Sequence, residues 1–245
     1  LARISSMSRS PAPKRKSPRI SVNELASFMV SSDSARIGII KRAKHPKTPP
    51  IIRYTDARGP ICNYLTDNSR SVNPLLQAEQ MFEQRAVDPA ESSLRQDDAR
   101  QSVEVLHAVQ KMANQLGGYR FTHAPKKQEK LIISDVIVSV RADLLVHAES
   151  RGVKSIGAGI LRLTKDDATT PAAIERRKNM GLYVATLARM HLEANFTTDQ
   201  VVANRLCLSI DVQHGEIFAA PNSNTRRMND IENACRFISS LWMEI

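Results

Sequence analysis

The sequence predicts an α/β protein with a mixed central sheet flanked by helices. Helical periodicity runs almost unbroken from Ser21 to Leu116, and a two-residue period rich in β-branched side chains takes over near Tyr119. Helix and hairpin patterns then alternate to the end of the chain. Helices placed before and after strands in this order bury their apolar faces most simply on the two sides of a sheet.

Residues 1–20 are mostly Ser, Pro, Lys and Arg, with almost nothing to bury, and are expected to form a disordered basic tail. The chain opens at Leu1, and Met7 is the expected natural start. Order is expected from "SVNE" (21–24), a capping box in which Ser21 caps a helix and Glu24 reaches back. Val22, Leu25, Phe28 and Met29 then share one face. A second helix over "DSARIGIIKRAK" should end before Pro46, and a third should break near Gly59-Pro60. From Val72 the pattern stays helical, interrupted near Pro89. Val103, Leu106, Val109, Met112 and Leu116 recur at helical spacing, and Gly117-Gly118 supplies the stop. Residues 21–118 are thus read as a helical N-terminal region and 119–245 as an α/β core.

In the core, "YRFTHA", "KLIISDVIVSVRADLLVHA" and "VKSIGAGILRLTK" alternate as strands do, with "ESRG" as the turn before the last. Thr170-Pro171 starts a long helix, with Pro171 where its missing N–H costs nothing. A hairpin turns at His214-Gly215. The last helix turns Ile231, Ala234, Cys235, Ile238 and Leu241 inward. No internal repeat is present.

The chain has 245 residues, 42% of them apolar but only 4% aromatic, so its core must be built from Leu, Ile, Val, Ala and Met. No apolar run reaches the length of a membrane span, and no apolar h-region stands at the N-terminus. Neither a membrane partner nor secretion is expected. Cys62, Cys207 and Cys235 lie far apart without CxxC spacing, which predicts reduced thiols in a cytoplasmic protein and no zinc or iron–sulfur centre. Six histidines show no ligand-pair spacing, so no metal is expected there.

The charge is confined to one end. Residues 1–58 hold 13 Lys/Arg against Glu24, Asp33 and Asp56, and the remaining bases and acids balance. Concentrated in this way, the excess reads as an arm for a polyanion, nucleic acid above all. No aromatics interleave with it, so contacts should go to phosphates. The candidate ligands form two groups: Arg9, Lys14, Arg15, Lys16 and Arg19, then Lys41, Arg42, Lys44 and Lys47. Further on, Arg226 and Arg227 open the last helix, where backbone N–H groups and guanidiniums can share a phosphate or simply form a solvated helix start. Asn179 and Tyr183, one turn apart on the long helix, can hold a phosphate or a base, or can serve ordinary packing.

Asp143 stands inside an otherwise apolar strand. Period two groups it with Ser139 and Arg141, and its structural role would be an ion pair with Arg141 or with Arg162 on the next strand. An aspartate on one strand, a turn, a second strand some fifteen residues later and then a long helix resemble the core of the PD-(D/E)xK nuclease superfamily, particularly its RecB-like branch. "VRADLLV" (140–146) is similar to that branch's first acidic motif and "ISVNELASFM" (20–29) to its N-terminal start. "NMGLY" (179–183) is similar to its QxxxY helix motif, with Asn in place of Gln. The likeness covers roughly residues 20–245 in layout and few residues in motif. It implies a restriction-endonuclease-like core, with Asp143 and Lys165 as the catalytic candidates and Mg²⁺ as the metal. The iron–sulfur members need four cysteines and are excluded.

The departure from that pattern is at the second carboxylate and the lysine. Two acids on adjacent strands make the hard oxygen site that Mg²⁺ requires. Here those positions read Ala158 and Ile160, or Gly157 and Gly159 with a shift of one. The expected function is therefore nucleic-acid binding without metal-dependent cleavage and without a cofactor, in a subunit of a larger defence or genome-maintenance assembly, as the resemblance implies. An active Mg²⁺-dependent DNA nuclease would need relocated acids, from Asp166, Asp167 and Glu175 or from Glu79, Glu83 and Glu104. A protein–protein adaptor with a basic arm is the third reading. "GAG" at 157–159 is no phosphate loop; it lets another backbone pass close to the sheet.

Overall fold

The computed structural model describes residues 14–46, 52–166 and 168–245. The capping box forms as expected: the Ser21 hydroxyl accepts from the Glu24 N–H, and the Glu24 carboxylate accepts from the Ser21 N–H at 2.9 Å. It opens α1 (Val22–Met29), which is followed by α2 (Asp33–Lys44), α3 (Thr55–Thr66), α4 (Asn73–Val87), α5 (Ser93–Lys111) and the single turn α6 (Ala113–Leu116). The expected break at Gly59-Pro60 is not there. Pro60 sits inside α3, leaving the Asp56 carbonyl without its usual helical donor, but Ala57, Ile61, Cys62 and Leu65 are all buried and hold the helix straight through.

The strands fall into two sheets. A six-stranded mixed sheet has the order β2 (Arg120–His123), β5 (Leu144–Ser150), β6 (Val153–Arg162), β8 (Leu208–Asp211), β9 (Glu216–Ala219), with β7 (Val201–Val202) also paired to β6. A three-stranded sheet holds β1 (Arg19–Ser21), β4 (Val136–Ser139) and β3 (Leu131–Ile133). The apparently continuous strand 136–146 is thus divided, because the chain changes sheets between Val140 and Asp143; ahead of it a β3–β4 hairpin turns at Ser134-Asp135, both at positive φ. Alternation persists through the change because Val140 and Ala142 remain buried. The Gln128 side chain replaces the missing strand partner: it accepts from the Ala142 N–H at 2.9 Å and donates to the Ala142 carbonyl at 2.8 Å.

The large sheet separates two apolar clusters. On one face, Ile156, Ala158 and Ile160 meet α1 and α7 (Pro171–Asn195), with α8 (Thr225–Leu241) and the small sheet behind. On the other, Leu144, Val146, Leu161 and Ile210 meet α3, α4 and α5. The first two helices therefore serve one face and the next three the opposite one.

The tail differs from expectation where it is described. Ile20 is fully buried in β1, which pairs parallel with β4. One apolar residue in a basic context gave no strand signal, yet it contributes a strand to the core. Residues 1–13 and Lys47 lie outside the described residues.

His191 of α7 is fully buried. Its Nε2 faces Gln128 Oε1 at 3.0 Å and its Nδ1 faces the Asn195 amide nitrogen at 2.9 Å, an arrangement that suits the neutral ring with the proton on Nε2. Burial lowers its pKa below the ordinary histidine value. The unfolded ring, at about 6.5, then takes up its proton first as pH falls, so this contribution to stability is intact above that value and declines below it. Unfolding free energies from urea titrations should drop as the pH falls through about 6.5. The drop should be smaller in H191Q; equal slopes in the two proteins would contradict this account.

Candidate nucleic-acid interface

Asp143 stands just ahead of β5 and is held from three sides. Its N–H donates to the Gly159 carbonyl at 2.9 Å, extending the antiparallel β5–β6 pairing in which Leu145 faces Ala158. Arg58 Nη1 donates to both carboxylate oxygens at 2.8 Å, and the Leu161 N–H donates to Oδ2 at 2.8 Å. Arg58 Nη2 also donates to the Leu161 carbonyl at 3.1 Å, so the guanidinium ties α3 to both strands. The partner is therefore neither Arg141 nor Arg162. Arg162 pairs with Asp211 at 3.1 Å, and Arg141 is exposed with no ion pair among the described residues. The Arg58 contact spans 85 residues, and no local pattern marks it.

These residues do not fit a Mg²⁺ ion. Asp143 is 9% exposed with its oxygens occupied, and Ala158 and Ile160 point into the core shared with α7. The relocated acids do not assemble either. Asp166 pairs with Arg177 at 3.7 Å, Glu79 with His107 at 2.6 Å, Glu104 with Lys165 at 3.9 Å, and Glu175 accepts from Asn179 at 2.9 Å. Asp167 lies outside the described residues. Among the described residues no group of three or more His, Cys, Asp or Glu gathers as a ligand set. Lys165 does not line the cleft beside Asp143.

That cleft, of about 580 Å³, is bounded by α1, α3, the chain after β2 and the crossover between the two sheets. Among the described residues three cations line it, Arg58, Lys126 and Arg141, against the single acid Asp143. Lys126 and Arg141 are exposed, while Ser139, Asn63 and His123 add uncharged polar groups. Cys62 also lines it, but burial and then the Asp143 charge push the thiol up to about 12, so it is no nucleophile near neutrality. Lys126 belongs to "APKKQEK", a basic loop signal that sequence reading passed over; Arg58 carried no signal.

The basic end divides into exposed and structural residues. Lys14, Lys16, Lys41 and Arg42 are exposed. Arg15 is not a loose phosphate ligand: its Nη1 donates to the Ala43 and Arg19 carbonyls at 3.2 Å, meeting the negative end of α2. Its own carbonyl accepts from Trp242 Nε1 at 3.3 Å. Lys44, 3% exposed, donates from Nζ to the Trp242 carbonyl, and burial followed by the neighbouring Lys14 lowers its pKa. It is removed from the phosphate contacts because the last residues of the chain cover it. Arg19 is half-buried and donates to Ser139 Oγ at 3.3 Å.

Asn179, Tyr183 and Arg227 are brought together where α7 meets α8. The Arg227 guanidinium lies 4.8 Å from the Tyr183 ring centre and 3.4 Å from Asn179 Oδ1. The Tyr183 hydroxyl donates to Asp230 at 3.4 Å, and burial first, then Asp230, raises its pKa. Arg226 is exposed beside them. No residue of α7 or α8 lines the Asp143 cleft among the described residues. The sequence matches no protein-family model and no curated protein.

Proposed function

We propose that the chain is a nucleic-acid-binding protein of PD-(D/E)xK, RecB-like character whose metal-dependent cleavage has been lost. The observation that carries this reading is the Asp143 cleft. Its carboxylate is closed off by Arg58 and the Leu161 N–H, while Lys126 and Arg141 stand exposed around it. A polyanion is the partner that such a cleft suits, and phosphate contacts need no base-reading geometry. Lys14, Lys16, Lys41 and Arg42 extend the same chemistry at the basic end. Membership of a larger defence or genome-maintenance assembly, and a cytoplasmic setting, rest on the resemblance and on cysteine usage.

Fluorescence anisotropy with single- and double-stranded DNA and RNA, over a salt series with Mg²⁺ present, tests this reading. Binding should weaken linearly in log salt, with no cleavage product. K126Q with R141Q should flatten the slope by about two phosphate contacts on every sequence tried, at about 0.7–0.9 per contact. No binding at low salt would overturn the proposal, as would Mg²⁺-dependent cleavage that D143A abolishes. Truncation should stop at residue 13, because removing Arg15 and Ile20 takes away core contacts as well as charge.

A further inference from the structure

A second cavity, of about 380 Å³, opens where the chain leaves β6 and enters α7. Arg162 stands at its wall from β6 and Arg177 from the second turn of α7. Both are deeply buried: Arg177 is 8% exposed and the Arg162 side chain 11%. A buried guanidinium ordinarily has its donors matched. Here Arg177 Nε has no hydrogen-bond partner, and Arg162 Nη1 has none beyond its ion pair with Asp211 Oδ2 at 3.1 Å. The hydrogen bond that Arg162 does make runs from Nη2 to the Met180 sulfur at 3.5 Å, a weak acceptor.

The local charge leaves room for an anion. Asp211 lies 3.1 Å from Arg162 but also accepts from His214 Nδ1 at 2.9 Å. Asp166 stands 3.7 Å from Arg177, whose Nη1 is turned to the Ala168 carbonyl at 2.6 Å. Arg176, exposed, adds another cation to the lining; Lys165, also there, stands 3.9 Å from Glu104, and Asp166 is the one lining carboxylate among the described residues, while the Glu216 charge also reaches Arg162. Ser31 and Thr164 line the same cavity, with the Ser31 hydroxyl donating to the Ser27 carbonyl at 2.7 Å.

We propose that this cavity binds a phosphate monoester of mononucleotide size. Guanidiniums converging from a strand and a helix match the several oxygens of a tetrahedral dianion, whereas a carboxylate is satisfied by one fork. The volume lies at the small end of ligand pockets, which run from about 300 to about 1,000 Å³. The inference does not depend on the reading of the Asp143 cleft.

Calorimetric titration of the full chain with inorganic phosphate and with adenosine monophosphate tests it. Both should bind saturably, the nucleotide more tightly. R176Q, at an exposed position, should weaken binding about tenfold, and R177Q at least as much. Circular dichroism melts establish that R177Q is folded. K126Q with R141Q should leave this affinity unchanged. Arg162 is left intact, because removing it strands the buried Asp211. No saturable heat with either probe up to about 10 mM would overturn the proposal. Binding unaltered in both R176Q and R177Q, or lost instead in the cleft variant, would overturn it equally.

Discussion

Replacing Arg58 with alanine is expected to lower the unfolding free energy by about 3 kcal/mol, the low end of the cost of breaking a buried ion pair from one side. Asp143 would keep the Leu161 N–H as its donor and lose the guanidinium that now caps both oxygens. D143A should cost less, about 1–2 kcal/mol, because Arg58 has a side chain 39% exposed and can turn its charge to water. The double variant should then resemble D143A alone, which chemical denaturation of the four proteins measures as a coupling energy. Additive costs in that cycle would show that the two groups act separately.

The asymmetry of that pair also explains what sequence reading reached and what it missed. The two-residue period found β4 and β5 on either side of Asp143 but joined them as one strand, and the turn at "ESRG" correctly placed β5 against β6, because both signals are local. The capping box at Ser21, the stop at Gly117 and the start at Pro171 were legible for the same reason. The partner of Asp143 was not, since Arg58 arrives from a helix 85 residues earlier in the chain. The change of sheet at 140–143 was hidden because its residues keep the burial alternation of a strand while a side chain, Gln128, supplies the hydrogen bonds. Lys44 shows the limit of reading function from charge. Its sequence context is that of an exposed cation, and only the return of Trp242 over α2 makes it a buried donor.

Gly157 is where a small change should do comparable harm. In β6 the Leu206 backbone passes directly over it, so that an added Cβ would lie 2.0 Å from the Leu206 carbonyl oxygen and 2.1 Å from its carbon. These are backbone atoms, and no rotamer change relieves the contact. Leu206 is itself buried, and the Cys207 N–H just after it bonds back to the Asn204 carbonyl, so this segment has little room to yield. G157A should therefore cost about 3 kcal/mol, the upper part of the usual range for overpacking, with β6 and β8 forced apart. Gly159, two residues on, makes the control. A Cβ there would sit 3.5 Å from that of Leu144, an ordinary contact, and G159A should change stability by less than about 1 kcal/mol. Thermal and urea unfolding of the two single variants separates the cases. If G159A proved the more damaging, the close passage of Leu206 would not be what requires glycine in this strand. Should G157A be the costlier one, the "GAG" stretch is explained by one backbone crossing another, with no need of a phosphate held by the strand.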